Sequence, residues 1–337
     1  MDTKLPPYAT LGQTIWFYGF RVICGLIFFF LIAPILTIIP LSFNAEDFFT
    51  FTPGMLAFEA DAYSLRHYRA FFGEDGYPWL GLLIGLGLGI AATVALKVLK
   101  GTTNYFPIVI LAILGLVVGK LSGLEGEEWM TPMRNSLRIA PVATLLSVGF
   151  GTLAAIGLSQ SHVPFKGAIM AILISPMIVP LIISAAGMYF FYSRIGLQGT
   201  FMGVVLAHAA LGIPFVIITV TATLVGFDRS LTRAAANLGA NPVTTFFRIQ
   251  MPLILPGVIS GGLFAFITSF DEVVVVIFVG SAGQQTLPWQ MFTGLREQIS
   301  PTILAAATVL VAISIILLTV VELLRQRSER LRGIDPH

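Results

Sequence analysis

The stretch Leu231-Thr-Arg-Ala234-Ala235-Ala236-Asn-Leu-Gly239-Ala-Asn-Pro242-Val-Thr-Thr-Phe246-Phe247-Arg248-Ile249-Gln-Met-Pro252-Leu-Ile-Leu-Pro256-Gly257 lies between two long apolar runs. Ser230, just before it, is an N-cap candidate, because its hydroxyl can take a free amide of a first helical turn. The alanines and leucines that follow favour a short helix. Gly239 stops that helix, and Pro242 suits the first turn of a second one, where a missing N–H costs nothing. The spacing therefore predicts a compact helix-turn-helix. Ala234, Ala235 and Leu238 recur at helical spacing, so one side of the first helix is small and apolar, a shape suited to a groove on another protein.

Outward from this corner the chain is dominated by apolar runs. Hydrophobic residues make up 56% of the 337 and charged residues only 11%, whereas soluble domains carry roughly 25% charge. Such a chain belongs in a bilayer, and its net charge of +2 argues against nucleic acid. The single cysteine, Cys24, excludes a disulfide within the chain and a cysteine metal site. A spanning helix needs about 20 mainly apolar residues, since lipid offers no partner to backbone polar groups. Eight stretches qualify: 21–43, 78–99, 105–122, 137–158, 167–191, 201–226, 252–280 and 302–324. The first is too long for a secretory signal core and no small-residue cleavage site follows, so it reads as a retained helix. Pro180 and Pro214 are expected to kink the fifth and sixth spans.

Lysine- and arginine-rich loops stay on the cytoplasmic side. Placing both termini inside puts Lys4, Arg21, Lys97, Lys100, Lys166, Arg229, Arg233, Arg248, Arg325, Arg327 and Arg330 inside. The outside then receives Glu46, Asp47, Glu59, Asp61, Glu74 and Asp75 in one loop and Glu125, Glu127 and Glu128 in another, with Arg66, Arg69 and Arg134 as exceptions. The corner at 231–252 faces the cytosol in this arrangement. Outer residues 281–301 carry Trp289, Phe292 and Leu295, an aromatic-rich set that either rests at the headgroup level or meets a partner protein.

Ala234, Ala235, Gly239, Ile249 and Pro252 fall on the "EAA" loop pattern, so the stretch resembles the coupling loop of binding-protein-dependent ABC importer permeases. That resemblance implies a loop, here 227–251, that docks into a cleft on an ATPase and transmits its closure to the membrane helices. Arg233 stands where the pattern has glutamate and Met251 where leucine is common. The resemblance runs on toward the spermidine/putrescine-type branch. It is carried by Tyr63-Ser-Leu-Arg66-His-Tyr68, Asn135-Ser136-Leu137, Gly151-Thr-Leu-Ala-Ala155, Phe270-Asp271-Glu272-Val and Leu287-Pro-Trp-Gln-Met-Phe. Permeases of that kind have six spans, whereas about sixty extra residues here hold the second and third runs. The implied architecture is an all-α, polytopic membrane helix bundle: a six-span type I importer permease core with an inserted two-helix hairpin at 78–123, about eight transmembrane helices in all. A short N-terminus, 1–20, precedes one permease domain, 21–337. Implied partners are an ATP-binding-cassette ATPase dimer that binds the ATP, a second homologous permease subunit and a periplasmic substrate-binding protein. The implied location is the bacterial inner membrane. The coupling residues so implied are Arg233, Ala234, Ala235, Leu238, Gly239, Pro242, Ile249 and Pro252.

Phe270, Asp271 and Glu272 lie inside the seventh run. A charge at the middle of a spanning helix costs roughly 2.5–3.5 kcal/mol, so it normally meets a partner or a watery path. Successive residues of a helix point about 100° apart, so one wall presents both acids only if the helix breaks there. Asp271 is the residue expected to face the path, with Phe270 offering a cation–π surface to a solute such as putrescine or spermidine. The alternative is structural: the acids meet an arginine or backbone donors at a helix break. His67, His162, His208 and His337 are too scattered for a metal site, and His208 reads as a hydrogen-bonded packing residue. The chain carries no phosphate-binding loop, nucleophile elbow or HExxH pair, so it is not expected to be an enzyme, to hydrolyse ATP itself or to hold a cofactor. Other substrates consistent with these residues are an opine or an amino-acid-like solute. A secondary transporter is the second alternative, but the internal doubling typical of that class is missing.

Overall fold

The computed structural model describes residues 10–72, 110, 112, 113, 115, 128–160, 162–228, 230–297 and 301–330, and every element named among them is helical. The expected second and third spans, and with them the hairpin 78–123, fall outside the described residues but for four positions. Helix α1, Leu11–Leu41, begins ten residues earlier than the apolar run suggested. Its start is set by a capping box rather than by hydropathy: the Thr10 hydroxyl accepts from the Gln13 amide and the Gln13 side chain accepts from the Thr10 amide.

A lobe of short helices follows, α2 (Pro53–Leu56) and α3 (Arg66–Phe72). The tyrosine-rich motif is its fastener. Tyr68 Oη meets Ser42 Oγ at 2.7 Å, the Ser64 amide donates to the Phe43 carbonyl at 2.7 Å, and Tyr63 Oη donates to the Met55 carbonyl at 3.0 Å. Arg66, an exception to the charge rule, donates to the Ala45 carbonyl and forms an ion pair with Asp47, so its charge is matched on the acid-rich side. His67 is buried here, and loss of water pushes its imidazole below the ordinary 6.5. The folded lobe therefore binds its proton less readily than the unfolded chain, so stability is full above about pH 6.5 and falls as the pH drops below it. Protection factors over residues 44–68, each corrected for the intrinsic amide exchange rate at its own pH, are expected to fall on acidification from pH 7.5 to 5.5, and to fall less in His67→Gln; an equal fall in both would sink the assignment.

The bundle proper consists of α4 (Met130–Ser159), α5 (Lys166–Ile178), α6 (Leu181–Ile195), α7 (Phe201–Val225), α8 (Ser230–Asn237), α9 (Pro242–Phe270), α10 (Val274–Val279), α11 (Leu287–Glu297) and α12 (Thr302–Arg330). Among the described residues, α1, α4, α7 and α9 are each long and apolar enough to cross a membrane. The expected fifth span is instead two helices meeting at 103°. Pro180 can neither donate a helical hydrogen bond nor let Val179 stay helical, and Val179 is accordingly extended at φ −66°, ψ 136°. Pro214, by contrast, sits inside an uninterrupted α7.

Helices α4, α7 and α9 form the centre and approach each other through small residues, as membrane helices do where apolar burial alone gives no drive to associate. A Cβ on Gly151 would lie 2.6 Å from Val216 Cβ, and one on Gly257 would lie 2.7 Å from Thr223 Oγ1. Ser147 Oγ donates to the Ala143 carbonyl of its own helix and contacts the Ala209 carbonyl of α7 at 3.0 Å. At the lobe end, Phe71, Trp129, Met130, Leu287 and Ile303 form a second cluster.

Two motifs about 150 residues apart meet at this end. Asn135 Nδ2 donates to the Gly283 and Gln285 carbonyls at 3.0 and 2.9 Å, and the Leu287 amide donates to the buried Ser136 Oγ at 2.9 Å. The segment expected to rest at the headgroups or meet a partner is thus tied to the start of α4: Leu287 is buried and Trp289 packs on the core, while Phe292 and Leu295 stay exposed. Each such bond contributes about 1 kcal/mol. Asn135→Ala is expected to raise amide exchange at residues 283–290 by about tenfold, and unchanged protection there would show that the latch does no holding.

Candidate functional site

Two features remain after the packing is accounted for: a corner at one end of the bundle and a broken helix within it. The corner sits opposite the lobe, because α7 starts beside Ser281, where the Gly199 amide donates to the Val279 carbonyl, and runs away from it for 25 residues. Helix α8 is bounded differently from expectation. Ser230 is its first residue rather than its cap, and the Asp228 carboxylate receives both the Ser230 amide, at 2.8 Å, and the Ser230 hydroxyl, at 2.7 Å. These bonds hold the Asp228 carboxyl below the usual range. Gly239 closes the helix at φ +82°, with the Ala240 amide on the Ala235 carbonyl at 3.0 Å. Asn241 then caps the next helix through the Thr244 amide at 2.7 Å, with Pro242 in its first turn.

That second helix does not stop at Pro252. It continues through Phe270, so the corner is one short helix joined rigidly to a long one. The passage through Pro252 follows a wide π turn, Phe246–Gln250. A prolyl ring collides with the carbonyl four residues back, here Arg248, and the widened turn moves that carbonyl aside. Ala235 points inward and is buried, so the expected shared face of Ala234, Ala235 and Leu238 is divided. Neighbouring helical residues diverge by 100°, and Leu231, Ala234 and Leu238 form the outer stripe instead. Leu238 is 89% exposed and Phe247 62%. Arg233, Gly239, Pro242, Arg248 and Pro252 are exposed beside them, and Ile249 is half-buried.

Helix α9, in the expected seventh span, ends at Phe270, where the Asp271 amide makes the last helical bond, to the Ile267 carbonyl, at 3.1 Å. After Glu272 and Val273 the chain resumes as the six-residue α10, so the two acids occupy a break rather than a continuous helix. Their side chains part company. Asp271 is exposed, whereas Glu272 is only 6% exposed and its Oε1 accepts the Val275 amide at 2.7 Å. Asp271 borders two clefts. One, of about 210 Å³, lies between α9 and α12 and is walled by Phe266, Phe270, Leu310 and Ser314. The other, of about 490 Å³, reaches Leu181 at the start of α6, so the break at Pro180 and the break at Asp271 open on one space. Phe270 is 3% exposed and stacks on Phe266, centroids 5.4 Å apart, with both rings in the wall of the smaller cleft. Just before the break, the buried Ser269 Oγ lies 2.8 Å from His208 Nδ1 of α7. No sequence signal marked Ser269 or Leu181 for this site. Their roles depend on which helices meet there.

Fold and site together define a multi-pass membrane helix bundle with a carboxylate at an internal helix break and an apolar knuckle at one end. The chain belongs to the family of binding-protein-dependent transport system inner membrane components, whose model matches residues 147–332, more than half its length. The spermidine/putrescine transport system permease protein PotC of Haemophilus influenzae is 32% identical over 194 residues, covering 58% of this chain and 76% of that one. PotC of Escherichia coli is 28% identical over 201 residues, covering 60% and 76%. The putrescine transport system permease protein PotI of Escherichia coli is 30% identical over 195 residues, covering 56% and 69%. Among solved structures, a bacterial ABC transporter involved in the import of the acidic polysaccharide alginate matches with a TM-score of 0.59 at 15% identity, covering 96% of this chain and 99% of that one. This last likeness is one of fold alone.

Proposed function

We propose that the chain is the membrane permease subunit of an ATP-driven importer for a small polyamine-type cation. In this reading it forms half of the path, a second permease subunit forms the other half, and a soluble binding protein delivers the solute from outside. The observation that carries the reading is the exposed Asp271 carboxylate at a helix break, bordered by aromatic and aliphatic walls. A carboxylate gives charge pairing to an ammonium group, and the apolar walls suit the methylene chain between two such groups. Similarity to permeases named for spermidine and putrescine supports the same choice. The α8 corner is the seat of the ATPase: Leu238 and Phe247 insert into its groove, and the rigid run from Pro242 to Phe270 carries the movement to the break. Both termini and the corner lie in the cytosol, in the inner membrane of a bacterium.

The test is uptake of labelled putrescine and spermidine by the co-expressed complex, with ATPase co-purification measured alongside. Uptake that survives ATP depletion would identify a secondary transporter, and uptake of an opine or amino acid in preference to polyamines would overturn the substrate class. Sidedness is read separately. In a Cys24→Ser background expressed without the ATPase, Leu238→Cys is expected to react with impermeant maleimide only from the cytoplasmic side; labelling from outside would reverse the topology.

A further inference from the structure

We propose that Glu272 is a positioning residue: its side chain, fastened to the backbone of the next turn, sets the helix break that aims Asp271 into the clefts, and it does not itself meet the solute. This inference rests on the reading of Asp271 as the residue in the path. Both acids line the 490 Å³ cleft, yet Asp271 is exposed while Glu272 is only 6% exposed, with an oxygen committed to the Val275 amide. Glu272 stands one residue before the N-cap position, Val273, whose own side chain makes no capping bond, and its carboxylate takes the first-turn amide that a capping side chain would otherwise satisfy.

The cap matters here because α10 has only six residues, too few to form a stable helix unaided. Three restraints hold it. Val275, Val276 and Val279 are buried in the core cluster with α6 and α7, the Gly199 amide holds the Val279 carbonyl at 2.8 Å, and Glu272 ties its first turn. On the other side of the break, Ser269 is held by His208. Asp271 thus lies between two fastened residues, Ser269 and Glu272, which restrict its backbone. If Glu272 lets go, the N–H of Val275 is left without a partner in an apolar setting, and residues 271–274 take up whatever turn satisfies it. The Asp271 carboxylate then loses its direction although it remains in the chain.

Glutamine keeps the Oε1 acceptor and removes the charge, whereas methionine keeps the length and removes the acceptor. Uptake kinetics of the complete transporter with putrescine separate the two roles. Glu272→Gln is expected to keep KM and maximal rate within about twofold of the parent, and Glu272→Met to raise KM by about tenfold with ATPase co-purification unchanged. A Glu272→Gln variant that loses affinity as Asp271→Asn does would show that the Glu272 charge meets the solute, overturning the proposal. A Glu272→Met variant with the parent's KM would overturn it in the other direction. Should Glu272→Met fail to assemble, the glutamine variant decides alone. Normal affinity in Asp271→Asn is a different outcome: it removes the reading of the path itself, whatever Glu272 does.

Discussion

Asp271→Asn is expected to reduce putrescine uptake by the assembled transporter by at least about tenfold, with KM rising, while the amount of complex and its co-purifying ATPase stay at the parent level. The size follows from one lost ion pair in partly desolvated surroundings, where about 1.4 kcal/mol already corresponds to a factor of ten. Asparagine has nearly the same volume and can still end the helix, so the change removes charge and little else. Asp271→Glu is expected to recover part of the uptake, since the carboxylate is retained but displaced by one methylene. Uptake of the same rate and affinity in Asp271→Asn would place the solute elsewhere and leave the break a feature of packing. Phe266→Leu, which removes a cleft ring without touching charge, should change affinity less than Asp271→Asn does.

Gly261→Val is expected to be the most damaging change to the bundle itself. A Cβ there would overlap Thr219 Oγ1 and lie 2.7 Å from Val216 Cα, a backbone atom that cannot swing aside. Overpacking of a close helix contact costs about 1–3 kcal/mol, and more when backbone must move. In detergent the Tm is expected to fall by roughly 3–10 °C. Gly157→Val is the matched control, since nothing lies within 4 Å of its added Cβ. Comparable stability in the two variants would mean that α7 and α9 do not depend on this close approach. The distinction concerns position and not residue type: both glycines sit in long apolar helices, and only one faces another helix.

The same contrast explains how much could be read before any helix was placed. Membrane residence, the helical class and the corner around Gly239 and Pro242 follow from local chemistry: apolar run length, a glycine at positive φ and a proline in a first turn. The break at Asp271 was legible only as one of two choices. An acid pair in an apolar run states that something must satisfy it, but whether that is a solute, an arginine or a backbone amide depends on neighbours supplied by α6, α7 and α12. The fifth span shows the limit of a local signal: Pro180 marked a kink, yet the 103° turn needs α6 to pack on α10 as well as the proline. Likewise Ala234 and Ala235 look alike in sequence, and only contact with the following helix makes one of them inward.

By itself, then, the order of residues determined that the chain is a helical membrane protein, that it turns at Gly239 and Pro242, and which carboxylates are out of place, because each of those is a property of a few consecutive side chains and their solvent. Tertiary structure alone decided that Asn135 and Ser136 would serve residues 283–287, that the corner's second helix would continue unbroken into the bundle, and that Glu272 would turn inward while Asp271 stayed open. Those outcomes require a partner distant in the chain, and a hydrogen bond across 150 residues leaves no periodicity behind for a sequence to display.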